Sequence, residues 1–327
     1  MKPSMEQRNI SSSSQRSDAK LTQDFIAIYF FCGLIGFLAV LSNSLVLFLI
    51  KKHVFLRTAT NLCLASLACS DLLAGLLTIP LVITCSESYR FAVCLAMELT
   101  QRIIALSTIL HLLVVACERY FNICKPMSFP NFRRKGRVLG ILAGVWCFSM
   151  AASLIQLSWI IPTQNKFTSE QLKTTVIIYD IVWVFVFVLV PFPTIIAFHL
   201  STFLVLKRQV RNIAKLYTQV ERKNQFNKTK RERKAIFIYG AMLVTFAISW
   251  FSYIFSALAE DFGSKVNIST ELATFLALLR YSASVINPLL YTFLKGDFKK
   301  AIAKTFFVRG RKSINKSKSH YSNITHV

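Results

Sequence analysis

The stretch Phe91–Cys124, FAVCLAMELTQRIIALSTILHLLVVACERYFNIC, decides how the rest of the chain is read. It is an apolar run long enough to cross a hydrocarbon core of roughly 30 Å as one helix. Cys94 stands near its start, and Glu118, Arg119 and Tyr120 stand near its end. An ionised side chain in the bilayer interior costs roughly 3 kcal/mol or more. An acid and an arginine at one end of such a helix therefore need an interface, a water-filled cavity or each other.

Composition sets the class. Of 327 residues, 54% are hydrophobic and only 17% charged, with 28 Phe. Soluble domains carry about 25% charged residues, so this chain is short of water-facing surface. Its net charge is nevertheless +24. A basic chain invites a nucleic-acid reading, but here the basic residues fall in the gaps between apolar segments and on alternate sides, which is a membrane-topology pattern and excludes nucleic acid as the partner.

Seven apolar segments reach spanning length, at about 25–50, 59–84, 91–124, 138–161, 173–206, 234–259 and 270–293. The expected organisation is a disordered N-terminus over 1–24, a seven-span unit over 25–293, an amphipathic membrane-surface helix over 294–307 and a basic, disordered tail over 308–327. The first apolar run is too long for the core of a cleavable signal. The gaps 51–58, 120–138 and 207–234 and the tail 294–327 hold 28 Lys and Arg against the acids Glu221, Glu232 and Asp297. Positive charge marks the cytoplasmic side, so the N-terminus is expected outside, the C-terminus inside, and the protein in the plasma membrane. Among the sequons, Asn9 and Asn267 fall outside and are the expected glycosylation sites; Asn227, Asn315 and Asn323 fall inside. In GDFKKAIAKTFF, Phe298, Ile302 and Phe306 recur every four residues opposite lysines, as suits a helix lying on anionic lipid.

The spans carry a set of residues in register: Asn43, Asp71, Glu118-Arg119-Tyr120 followed by Pro126, Trp146, Pro191, Phe246 and Trp250, and Asn287-Pro288-Leu-Leu-Tyr291. Over residues 25–306 the chain resembles the rhodopsin-like (class A) G-protein-coupled receptors. The fold class is therefore all-α: a seven-transmembrane-helix bundle with a short amphipathic cytoplasmic helix after the seventh span. The resemblance implies a receptor, not an enzyme, that couples an extracellular ligand to a heterotrimeric G protein by outward movement of span six. It also implies recruitment of arrestin by the phosphorylated tail, where Ser313, Ser317, Ser319, Ser322 and Thr325 stand.

The resemblance assigns roles residue by residue. Glu118 and Glu232 hold Arg119 at rest, while Tyr120, Pro126, Phe246, Trp250, Asn287, Pro288 and Tyr291 belong to the switch. Asp71, an acid in mid-membrane, pairs with Thr108, Trp250 and Asn287 around an allosteric sodium ion, or stays protonated and hydrogen-bonded. Ala283 replaces a residue that is often polar in the family. The ligand-binding set is Glu98, Gln101, Arg102, Trp183, Trp250, Tyr253, Arg280 and Tyr281. Gln101 stands where amine receptors place an aspartate, so an amine ligand is not expected. Tyr281 stands where opsins carry the retinal lysine, so no retinal cofactor is expected. A neuropeptide-like ligand is the first reading; a small anionic or lipid mediator, a biogenic amine and a non-coupling scaffold are the alternatives. Arg102 and Arg280 either receive a carboxylate or phosphate through bidentate bonds, or face other helices or pair with Glu98 without touching ligand.

Three departures stand out. His199 replaces a span-five tyrosine. Ser252 replaces the span-six proline, so any kink must come from serine back-bonding to the preceding turn. The family's outer disulfide begins at Cys94, but the loop 162–173 contains no cysteine; either Cys94 pairs with Cys85 or both are free buried thiols.

Overall fold

A computed structural model describes residues 5–125, 135–160, 169–216, 219–261 and 270–307. The described residues form helices and their connecting turns only. Span one is Met5–Lys52. Span two runs from Ala59–Leu73 through a π-helical turn, Ala74–Thr78, into Ile79–Ser88. Span three is Phe91–Cys124 and span four Lys135–Leu154, extended by the single turn Leu157–Ile160. Span five joins Ser169–Val184 to Pro191–Leu216 through a second π-helical turn, Phe185–Leu189. Span six is Gln219–Asp261 and span seven Thr270–Leu294. The short helix Gly296–Ile302 and the turn Ala303–Phe307 close the described chain.

Five of these helices, beginning at Ile26, Ala59, Phe91, Lys135 and Gln225, are long and apolar enough among the described residues to cross a membrane. Their outward faces carry exposed Phe30, Phe37, Phe148, Phe237 and Val244, which in water would be a liability and in lipid need no cover. The inward faces meet in one core that includes Val46, Leu64, Leu67, Leu106, Ile109, Met242, Phe246 and Tyr291. Span three is the axis of this core and packs against spans two, four, five and six.

Two features differ from the expected organisation. The first helix begins at Met5, not at the first apolar residue. The segment 5–24 contains no Pro or Gly, and extending an existing helix fixes one residue per added hydrogen bond without a new nucleus. Span two is also not a uniform helix. Its π-helical turn lets Gly75 meet span one so closely that a Cβ there would lie 2.8 Å from the Gly36 carbonyl oxygen and 3.0 Å from Val40 Cγ2.

The expected surface helix lies against the bundle end. Phe298 is buried against Tyr291, with ring centroids 5.5 Å apart, while Phe306 stays exposed. Only part of the predicted stripe therefore faces lipid. The connection is pinned by Lys295, which donates to Asn61 Oδ1 and pairs with Asp297, while Asn61 Nδ2 donates to Asp297 Oδ2 at 3.1 Å.

Candidate functional site

Glu98, Gln101 and Arg102 lie within one turn of span three, so the helix aims all three toward neighbouring spans at one depth. Gln101 is buried and bridges to span seven in both directions. Its Nε2 donates to the Tyr281 hydroxyl at 2.9 Å, and its Oε1 accepts from Arg280 Nη2 at 2.5 Å. The Arg280 guanidinium also lies over Trp250 of span six, 5.0 Å from the ring centroid, and 5.6 Å from that of Tyr281. Spans three, six and seven thus bring together Gln101, Trp250, Arg280 and Tyr281.

Arg102 does not join them. It turns to span five and shares its guanidinium between Glu98 Oε1, at 2.9 Å and 2.5 Å, and Asp180 Oδ1, at 2.6 Å. Tyr179 and Trp183 flank it, with centroids at 5.0 Å and 5.7 Å. The alternative in which Arg102 pairs with Glu98 is the one found. Asp180 is absent from the residues singled out by sequence, although an acid inside an apolar span is itself a signal. The Tyr253 side chain, Pro126, Asn267, the tail serines and the Asn9 side chain lie outside the described residues.

Below this cluster a narrow cavity runs inward, lined by Gln101, Trp250, Arg280 and Tyr281 at one end and by Thr108, Ser284, Asn287 and Asp71 at the other. Asp71 is 2% exposed and accepts from Asn287 Nδ2 at 3.3 Å. Asn287 Oδ1 is buried without a hydrogen-bond partner. Hard cations take oxygen ligands. The Asp71 carboxylate, the unsatisfied Asn287 oxygen and the Thr108 and Ser284 hydroxyls fit a sodium ion; Ala283 offers none. Among the described residues no three His, Cys, Asp or Glu side chains group as a metal site.

At the opposite end Arg119 Nη1 donates to Glu232 Oε2 at 2.7 Å, and its Nε lies 3.5 Å from Glu118 Oε2. Its guanidinium lies 5.6 Å from the Tyr239 ring centroid, and Asn122 Nδ2 holds Glu118 at 2.6 Å. Glu118, Arg119, Asn122 and Glu232 line a cavity of about 1170 Å³ that is also lined by Arg231, Lys234, Lys295, Lys299 and Lys300. Phe246 and Trp250 lie one turn apart on span six, ring centroids 6.0 Å apart. Pro288 lies inside span seven, Tyr291 is fully buried, and Tyr120 packs on Phe198 of span five at 4.9 Å. Ser252 donates to the Ile248 carbonyl at 2.6 Å, the back-bond expected in place of proline geometry.

Cys85 and Cys94 are joined, their Cα atoms 5.0 Å apart. Tyr89, at φ 49°, ends span two in the left-handed region and turns the chain sharply into span three. One network had no counterpart in the sequence reading. His111 is fully buried, its Nδ1 donating to the Ser107 carbonyl at 2.5 Å. That fixes Nε2 of the neutral ring as acceptor from Ser66 Oγ at 2.6 Å, and Ser66 accepts in turn from Trp146 Nε1 at 3.0 Å. Helical periodicity reports that a residue is buried, not which neighbour satisfies it.

A seven-helix bundle with a buried polar cluster joining spans three, six and seven, a buried acid beneath it and a basic cavity at the other end is the architecture of a transmembrane receptor. The chain belongs to the 7 transmembrane receptor (rhodopsin family), whose family model matches residues 42–291. It is 29% identical over 300 residues to trace amine-associated receptor 7d of Mus musculus, covering 85% of this chain and 81% of that one. It is 28% identical over 309 residues to trace amine-associated receptor 9 of Mus musculus, covering 84% and 83%. The structure of squid rhodopsin superposes with a TM-score of 0.72 at 18% identity, covering 86% of this chain and 85% of that one, a likeness of fold. The expectation of a ligand other than an amine finds no support among these relatives, which are named for trace amines. Family membership carries signalling through a G protein and a multi-pass membrane location.

Proposed function

We propose that this receptor sits in the plasma membrane with its N-terminus outside and responds to a short, neuropeptide-like ligand that presents a carboxylate to Arg280. The observation that carries this reading is the Gln101–Arg280–Tyr281 cluster stacked on Trp250. A guanidinium there repels an ammonium group and attracts a carboxylate. Asp71, Thr108, Ser284 and Asn287 would hold sodium, whose positive charge would offset the burial of Asp71. Release of Arg119 from Glu232 would open the basic cavity to the G protein as span six moves outward, and the phosphorylated tail would then recruit arrestin. An amine ligand is the second reading, favoured by the relatives of 27–29% identity named for trace amines.

The test is a screen of G-protein activation against carboxylate-bearing peptides and primary amines, on wild type, Arg280→Gln and Arg119→Ala. The expected result is a peptide hit whose potency falls at least tenfold in Arg280→Gln, about 1.4 kcal/mol, and whose response vanishes in Arg119→Ala. A primary amine that activates wild type equally well in Arg280→Gln would overturn the carboxylate reading in favour of the second.

A further inference from the structure

The surroundings of Arg102 have the composition of a cation-binding cage, and the chain supplies the occupant. A single guanidinium serves two carboxylates from different spans: its Nε and Nη2 both donate to Glu98 Oε1, and Nη2 also donates to Asp180 Oδ1. Carboxylates bind cations through charge-assisted hydrogen bonds. The rings of Tyr179 and Trp183 add the attraction of their negative faces. The Arg102 side chain is 11% exposed, whereas those of Glu98 and Asp180 are 34% and 35% exposed. A ligand cation that reaches the two acids finds Glu98 Oε1 and Asp180 Oδ1 already taken.

We propose that Arg102 is a tethered cation that fills a cage suited to a ligand's ammonium or guanidinium group, and so makes the receptor select against free amines. The proposal rests on the reading of this end of the bundle as the ligand cleft. A group held by a short tether competes at an effective concentration in the millimolar range or above. The apparent affinity of a free amine falls by the ratio of that effective concentration to the arm's own dissociation constant for the cage, roughly 100-fold for a constant of about 10 μM. Gln101 removes the counter-ion from one place on span three; Arg102 closes the second place, one residue on, where acids remain.

The alternative is that Glu98, Arg102 and Asp180 only pin span three to span five. N-ethylguanidine carries the atoms that Arg102→Ala removes and reports whether the emptied site takes a free cation; the tightening of amine binding separates the two, since a mere pin would not withhold it. The full chain in lipid nanodiscs is heated with and without millimolar N-ethylguanidine, and binding of labelled 2-phenylethylamine is measured alongside. In Arg102→Ala the additive should raise the unfolding midpoint by several degrees, because a ligand that binds only the folded state stabilises it. It should leave wild type unmoved, and the effect should vanish when Glu98→Gln and Asp180→Asn are added. Amine binding should tighten about 100-fold in Arg102→Ala, the factor the tether withholds. An equal response in wild type and Arg102→Ala, or none in either, overturns the proposal. Arg102→Gln, which keeps a hydrogen-bond donor toward one acid, serves if the alanine variant does not fold. No G protein enters these readouts, so a failure here and a failure of the carboxylate reading are told apart.

Discussion

Replacing Glu232 by Gln should raise signalling in the absence of ligand. The Arg119 side chain is 13% exposed and that of Glu232 31%, so their 2.7 Å contact is neither a surface pair nor a fully buried one. Exposed pairs contribute about 0.2–1 kcal/mol, and breaking a buried pair costs about 3–5 kcal/mol. Arg119 keeps Glu118 and the Tyr239 ring after the change, and glutamine keeps an oxygen to accept one hydrogen bond. The loss therefore lies near the geometric middle, about 1.4 kcal/mol, a tenfold bias toward the state in which span six has moved. If that state is populated at about 1% in wild type, within the usual range for a minor conformer, it reaches about 9% in the variant. The assay is dissociation of G-protein subunits followed by resonance energy transfer, at matched surface expression, with Glu118→Gln measured beside it. Basal activity unchanged within twofold would refute the reasoning, since the contact would then exist in both states or weigh nothing in either.

Further outcomes follow from other parts of the bundle. Sodium chloride, compared with an organic-cation chloride at equal ionic strength, should raise the thermal midpoint of wild type and leave Asp71→Asn unchanged; equal responses would remove the ion from Asp71. Cys85→Ser should lower the midpoint, because the nine-residue separation between the bonded cysteines corresponds to a loop-closure contribution of roughly 2–3 kcal/mol; wild type in reductant should match it. Gly75→Ala should destabilise by about 1–3 kcal/mol through overpacking against Gly36 and Val40, read as loss of surface expression and a lower midpoint. Gln101→Ala should shift ligand potency about tenfold or more through its lost bonds to Tyr281 and Arg280, with the maximal response retained.

The seven spans were legible because a bilayer imposes one length and one polarity on every crossing, and the motif residues were legible because each is a polar or helix-breaking exception in an apolar run. Arg119, Glu118 and Glu232 could be named together before any distance was known, and they lie in contact. Asp180 is equally exceptional, an acid in an apolar run, but nothing in its spacing points to Arg102 on span three as its partner. What periodicity could not supply was pairing across helices. That Arg102 leaves Gln101 for span five, and that Arg280 comes to Gln101 instead, depends on how spans three, five and seven are rotated about their axes. The π-helical turns at Ala74–Thr78 and Phe185–Leu189 add to this, since each extra residue in a turn rotates the faces beyond it by roughly 100°. The His111–Ser66–Trp146 chain was hidden for the same reason.

The narrow cavity that has Gln101 and Arg280 at one end and Asp71 and Asn287 at the other makes the two ends thermodynamic partners. Whatever a cation at Asp71 does to the affinity of a ligand at Arg280, the ligand must do to the cation by the same factor. On the proposed reading both would carry charge in one low-dielectric enclosure, with the Arg280 guanidinium between the ligand's carboxylate and the Asp71 site. A carboxylate arriving at Arg280 would neutralise a positive charge that otherwise opposes a sodium ion at Asp71, whereas a cationic ligand would add to that opposition. The sign of the sodium effect on ligand affinity therefore reports the charge of the ligand before its structure is known.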